Sequence, residues 1–277
     1  MTYKTILVNL TTTDRAPALL SAATHLAHRF EAYLIALHVV PLAWVPAASP
    51  MDISGEIIAV QTRAYNAQAK AIRALFEATL AKGKLKGEWC QVEAKFHDPA
   101  EIVVAAGNAT DLIMLSQPAK GAELLPTADT PERIMMEAGR PLLFVPDAGA
   151  ERIIGGNVIL AWNGSREATR AAFDAVPLLQ AAKSVHVLAV NPETRAEELP
   201  WSSIVAALAR HGIACKGSSA YNRSSSIADE LRTHAAADGA GLLVMGGYGH
   251  SRLREFFFGG ATYGMLARMP LPVFMAH

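Results

Sequence analysis

The sequence predicts an α/β protein of two tandem, doubly wound domains, each a five-stranded parallel sheet. Three observations carry that expectation. Short, β-rich apolar runs alternate with longer amphipathic stretches, the series restarts near residue 157, and 277 residues suffice for two cores.

In the first copy the runs are TILVNL, LIALHVV, CQVEAKF, DLIMLS and PLLFV, each read as a strand. Helical periodicity fills 14–30, 55–83, 99–108 and 131–139 between them. The second copy opens with NVILAW at 157–162 and a helix over 165–182, then SVHVLAV at 184–190 and a helix over 200–211. IACKG, a helix over 225–237, GLLVMG, a helix over 259–268 and PVFMA complete it. Strands apolar throughout and separated by helices imply a parallel sheet covered on both faces, because each crossover helix packs back onto it. The expected division is 1–147 and 156–277, joined by the Pro-, Gly- and charge-rich PDAGAERIIGG. The first copy is longer mainly through PLAWVPAASPMDISGE at 41–56, read as a surface insertion.

Composition narrows the function classes. An apolar fraction of 51% excludes a disordered chain, and zero formal net charge gives no electrostatic reason to expect nucleic acid or an anionic membrane as partner. No secretory signal and no apolar stretch of about 18 residues stands out, so a cytoplasmic location without membrane attachment is expected. The two cysteines, Cys90 and Cys215, fall at comparable points of the two copies and read as strand residues rather than a disulfide.

In open parallel sheets, ligands bind beyond the carboxyl ends of the strands. The segment after GLLVM, from Met245 to Gly264, contains six glycines, whereas the matching Leu115–Ile134 contains one. Glycines before the first turn of a helix allow backbone N–H groups and the positive dipole end to approach an anion, phosphate above all. Neither G-x-x-x-x-G-K-[ST] nor G-x-G-x-x-G is present, which excludes a P-loop and the standard dinucleotide fingerprint. What remains is G-x-x-G, nine residues, then G-G: Gly246, Gly249, Gly259 and Gly260.

This pattern, between a strand and a helix and ahead of a final PVFMA, resembles the nucleotide loop of the universal stress protein family. The repeated strand starts ILVNL and VILAWNGS, the LHVV strand end, HDPAEIV, and the pair DLIML and LLVMG extend the resemblance over the whole chain, as a tandem member. It implies an adenine nucleotide, AMP or ATP, at the strand ends of the second copy. There Asn163 would meet adenine or ribose in place of the usual Asp, and Val190 would contact adenine. Gly246 and Gly249 would line the ribose and phosphate track, and Gly259, Gly260 and Ala261 would offer N–H groups to the phosphates. Asn163 lacks a carboxylate charge, and Gly260 replaces a Ser or Thr, removing a hydroxyl worth on the order of 1 kcal/mol. Thr262 is a candidate substitute.

In the first copy, Ser116, Ala119, Asp129 and Thr130 take the four loop positions and Thr11 the position of Asn163, so no nucleotide is expected there. The resemblance also implies that PLLFV and PVFMA pair within the chain; a further homodimer is left open.

Other residues are explained more simply. His25 and His28, three apart on the first helix, have no third metal ligand at useful spacing. Asp98 and Pro99 read as an N-cap and first helical residue. His250, Arg252 and Arg254 are close enough in sequence to reach a phosphate, though a solvated loop explains them equally well, while Phe256, Phe257 and Phe258 read as packing or a contact between the copies. Ser165 reads as a helix cap, since G-x-S-x-G is absent and no His or acid is assignable as its partner. No catalytic residue and no metal is expected, and turnover would be at most slow ATP hydrolysis. The alternatives are a scaffold without nucleotide, or a small-ligand sensor, acting through a protein partner.

Overall fold

Apolar runs long enough to be buried on both faces form strands, and the amphipathic runs between them cover those faces. The computed structural model describes residues 2–41, 55–95, 97–118, 131–147, 153–192, 201–222, 224–248 and 260–277. The first half runs β1 (Thr5–Asn9), α1 (Ala16–Phe30), β2 (Tyr33–Val40), α2 (Gly55–Gly83), β3 (Gly87–Glu93), α3 (Pro99–Gly107), β4 (Leu112–Ser116), α4 (Pro131–Glu137) and β5 (Leu142–Val145). The second half runs β6 (Asn157–Ala161), α5 (Arg166–Asp174), α6 (Val176–Gln180), β7 (Ser184–Val190), α7 (Ser202–Arg210), β8 (Cys215–Ala220), α8 (Ile227–Ala237), β9 (Ala240–Gly246), α9 (Gly260–Ala267) and β10 (Val273–Ala276).

The strands form one ten-stranded sheet in the order β3-β2-β1-β4-β5-β10-β9-β6-β7-β8. Every pairing is parallel except the central one, where β5 and β10 run antiparallel with Leu143 opposite Phe274. The two last strands thus join the halves inside one chain. Successive residues of β1 face opposite cores: Ile6 and Val8 belong to the one that includes residues of α1, α2, α5, α6 and α7, while Leu7 belongs to the one that includes residues of α3, α4, α8 and α9. Phe144 and Phe274, beside the central seam, are fully buried.

The ladders superimpose the halves residue by residue. Leu10 N–H donates to the Leu37 carbonyl at 2.8 Å as Trp162 N–H does to that of Leu188 at 2.9 Å. Gln117 N–H donates to Val145 at 2.8 Å as Gly247 N–H does to Ala276 at 2.9 Å. Thr11 therefore stands where Asn163 does, and Ser116 where Gly246 does.

Three elements differ from the sequence expectation. The helix over 165–182 is two helices, because Pro177 has no N–H to offer the Phe173 carbonyl and the turn breaks at Ala175. The strand around IACKG starts later and extends to Ala220, kept in register by β7 up to Val190. β3 starts earlier than CQVEAKF, since Gly87, Glu88 and Trp89 already pair with Leu34, Ile35 and Ala36. Asp98 caps α3 by accepting from Ala100 N–H at 2.9 Å, and Cys90 and Cys215 are free thiols on the two outermost strands.

Candidate functional site

β6, β7 and β9 end side by side, and α5, α8 and α9 all begin just beyond those ends. Between them lies a cavity of about 470 Å³. Asn163, Val190, Gly246, Gly260 and Ala261 all line it, drawn from four elements more than 90 residues apart in sequence at the extremes (163 to 261). Gly249 and Gly259 lie outside the described residues, as do His250, Arg252, Arg254 and Phe256 to Phe258.

Each wall has a local cause. Asn163 leaves β6 in a turn in which its Oδ1 accepts from Ser165 N–H at 3.1 Å, so its amide N–H₂ group is the part left for a ligand. Ser165 then caps α5 by accepting from Ala168 N–H at 3.1 Å. Beyond Val190, Asn191 donates to the Asn222 carbonyl and accepts from Asn222 N–H, both at 2.8 Å. Asn222 and Ser225 both donate to the buried Glu230 carboxylate, at 2.7 and 2.6 Å. That network sets Ser225 and the N-cap Ser226 into the cavity wall.

The glycines divide by what surrounds them. A Cβ on Gly246 would lie 2.6 Å from the Ala168 nitrogen and 2.7 Å from the Glu167 carbonyl carbon, so this glycine lets the start of α5 rest on β9. A Cβ on Gly247 would strike Met135 of α4, so that glycine serves contact between the halves. Among the described residues Gly260 has no heavy atom within 4 Å of such a Cβ. Neighbour packing therefore explains Gly246 and Gly247 and leaves Gly260 unexplained.

Tyr248 has a φ of 51°. That left-handed backbone is held by a bond from its N–H to Thr262 Oγ1 at 3.2 Å and by its hydroxyl donating to Glu132 of α4 at 2.9 Å. Thr262, the candidate hydroxyl donor, is buried in the wall with its oxygen already accepting one bond.

Three helix N-termini give the cavity a positive bias. Against it stands Glu167, which the sequence reading missed. It is buried in the first turn of α5 and lines the cavity. Burial works to raise its pKa, but bonds from its own backbone and Ser165, with the neighbouring Arg166 guanidinium, hold it below the ordinary carboxylate value. Ser225 and Ser226 were missed as well, although the three-serine run before α8 was a signal for them.

At the matching place in the first half, Arg15 donates to the Gln117 carbonyl at 2.6 Å and Gln68 to that of Thr11 at 2.7 Å. Of the first half's loop positions only Ser116 is described; Ala119, Asp129 and Thr130 lie outside. A more open depression of about 800 Å³ lies at the other end of the second half, near Asp229, Arg232 and Arg268. Arg232 there bonds the Gly264 carbonyl at 2.8 Å and Asp229 at 2.6 Å, and so acts as a clamp between α8 and α9. Among the described residues no cluster of three metal-ligating side chains occurs, and no helix is long and apolar enough to cross a membrane.

A duplicated, doubly wound sheet with a cavity at its strand ends defines the class. The Universal stress protein family matches residues 2–146, and the chain belongs to that family. The structure resembles a universal stress protein from Archaeoglobus fulgidus DSM 4304 with a TM-score of 0.72 at 14% identity, covering 98% of this chain and 95% of that one. A functionally unknown protein from Pseudomonas aeruginosa PAO1 matches with a TM-score of 0.57 at 16% identity, covering 98% and 92%. A universal stress protein from Archaeoglobus fulgidus in complex with dAMP covers 52% of this chain and 99% of its own, at 18% identity and a TM-score of 0.30. Among curated proteins none matches.

Proposed function

We propose that the second half binds an adenine nucleotide, AMP or ATP, and that its part in a stress response rests on binding that nucleotide rather than on turning it over. The supporting observation is the meeting of Asn163, Val190, Gly246, Gly260 and Ala261 around one cavity of about 470 Å³, a volume in the usual range for small-ligand sites. Asn163 offers its amide to the adenine or ribose, Val190 offers apolar contact, and the N-terminus of α9 offers N–H groups to phosphate. Gly249 and Gly259 complete the loop in this reading. The Glu167 carboxylate lies in the same wall and repels added negative charge, which favours AMP over ATP. The first half serves as partner in the sheet, and the protein works in the cytoplasm through a protein partner that reads the nucleotide state.

Titration calorimetry of the full chain with AMP, ADP and ATP, with mass spectrometry of the denatured purified protein, tests this. The expected result is saturable binding, tightest for AMP. Absence of both heat at millimolar nucleotide and any co-purifying nucleotide overturns it in favour of a scaffold.

A further inference from the structure

Outside the cavity, in the same half, three side chains meet that neither the family match nor the proposed function uses. His186 on β7 is 7% exposed. Its Nδ1 lies 2.5 Å from Asp238 Oδ2 and its Nε2 lies 2.7 Å from Ser218 Oγ. With Asp238 ionised, Nδ1–H donates to the carboxylate and Nε2 is left to accept the Ser218 proton, the polarity that nucleophilic serine chemistry requires.

The arrangement is braced. Asp238 is the C-cap of α8; its N–H donates to the His234 carbonyl at 2.9 Å, and its carbonyl accepts from Asn157 Nδ2 at 2.7 Å. Asn157 Oδ1 in turn accepts from Ser184 at 2.9 Å. Among the described residues the other charged or titratable groups near the imidazole are Lys216, 3.8 Å from Asp238 Oδ1, and on α8 His234, edge-on to His186 and itself 4.0 Å from Glu230. The fold does not demand these residues. In the superimposed first half their places are taken by Ile35, Cys90 and Asn108, where a half-buried apolar side chain replaces the imidazole and the same sheet forms.

Ser218 is half-buried on β8, an end strand of the sheet. Asn191 N–H reaches the Ala220 carbonyl, so by alternation Lys216, Ser218 and Ala220 turn their peptide groups toward β7. Gly217 and Ser219 turn their N–H groups to the edge, where no described strand pairs with them. The N–H of the residue after a nucleophilic serine is a recurring oxyanion donor.

We propose that Ser218, His186 and Asp238 form a serine-nucleophile centre that accepts acyl groups from small esters approaching the β8 edge. Ser218 Oγ bonds to the carbonyl carbon as its proton passes to His186 Nε2. The carbon–alkoxide bond breaks, the alkoxide takes that proton, and the Ser219 N–H faces the charged oxygen. Water then attacks the acyl-serine with His186 again as base, which releases the acid and restores Ser218. Ser218 and His186 are catalytic residues in this scheme; Asp238 is a positioning residue.

The test treats the full chain with a fluorophosphonate, which forms an Oγ–P bond and expels fluoride, and locates the adduct by peptide mass spectrometry. Hydrolysis of p-nitrophenyl acetate is followed alongside. The expected result is a single adduct at Ser218, none in S218A, and a loss of about 100-fold or more in rate in H186Q. D238N slows the reaction and moves the midpoint of its pH–rate profile, which a purely structural role would not do. Melting curves establish that S218A, the mildest change, remains folded. No adduct at Ser218 on the folded protein, or one formed equally fast in H186Q, overturns the proposal.

Discussion

Replacing Gly246 by alanine puts a methyl carbon 2.6 Å from the Ala168 nitrogen and 2.7 Å from the Glu167 carbonyl carbon. Ordinary contact needs about 3.4 Å, so backbone must part from backbone by roughly 0.8 Å, and no side chain can swing away to provide it. Overpacking of this kind costs about 1–3 kcal/mol, which corresponds to roughly 2–12 °C in melting temperature for a chain of this size. Replacing Gly260 by serine is the contrasting change. Its Cβ meets no described atom within 4 Å, its φ is not in the left-handed region, and it opens α9. Stability should hold, and a hydroxyl facing a bound phosphate should tighten nucleotide binding by about 1–2 kcal/mol, some 5- to 30-fold. Thermal melts and calorimetry with AMP on both variants distinguish the two roles. If Gly246→Ala melts like the parent, the packing argument is wrong; if Gly260→Ser leaves affinity unchanged, phosphate does not sit at the start of α9.

Further outcomes follow from the core and its titrating groups. Phe144→Ala removes a fully buried ring beside the central β5–β10 seam and should cost about 3–5 kcal/mol in denaturant unfolding. Tyr3, whose hydroxyl donates to the Asp174 carbonyl of the other half at 2.6 Å, has its pKa raised by burial and by the Asp174 and Asp111 charges. The stability it provides is present below the unfolded value of about 10 and is lost as pH rises beyond it, so Tyr3→Phe should flatten the alkaline limb of the stability curve. Asp238 is held below the usual carboxylate value by its bond to His186. Its contribution is present above about pH 4 and is lost as pH falls through the depressed folded value, so in acid titration D238N should remove part of that slope.

Alternation of apolar runs made the strands and the duplication legible, because a strand buried on both faces has to be apolar throughout. The convergence on one strand-end cavity depends on topology, which the β-α repetition already implies, whereas the pairing of the two last strands was an expectation of the family resemblance. The glycine-rich segment was legible as a place and less so as a mechanism. Gly246 and Gly247 are accounted for by α5 and Met135, neighbours more than 75 residues away that no local pattern reveals. Glu167 reads as an ordinary first-turn acid, and only the closeness of α5 to β9 turns it into a cavity wall. His186 sits inside an apolar strand run; its partners lie 32 and 52 residues on and are brought to it by the β7–β8 register and the end of α8.

The asymmetry between the halves leads to a last prediction. Both halves carry the same ladder, so each has the strand-end notch, yet the residues there have diverged. Ser116 brings a side chain where Gly246 has none, and Arg15 is the N-cap residue of α1 where Ser165 is that of α5. Arg15 donates to the Gln117 carbonyl at 2.6 Å and lies 3.8 Å from Asp147. A guanidinium spent on these two oxygens is not free to receive a phosphate, and α1 begins there without a side-chain cap. Nucleotide should therefore saturate at one per chain. Replacing Asn163 by leucine, which removes the amide from the second notch, should abolish binding without leaving a weaker residual site. Calorimetric stoichiometry decides this: a value near two for the parent, or half the heat surviving in Asn163→Leu, would show that the first notch still binds.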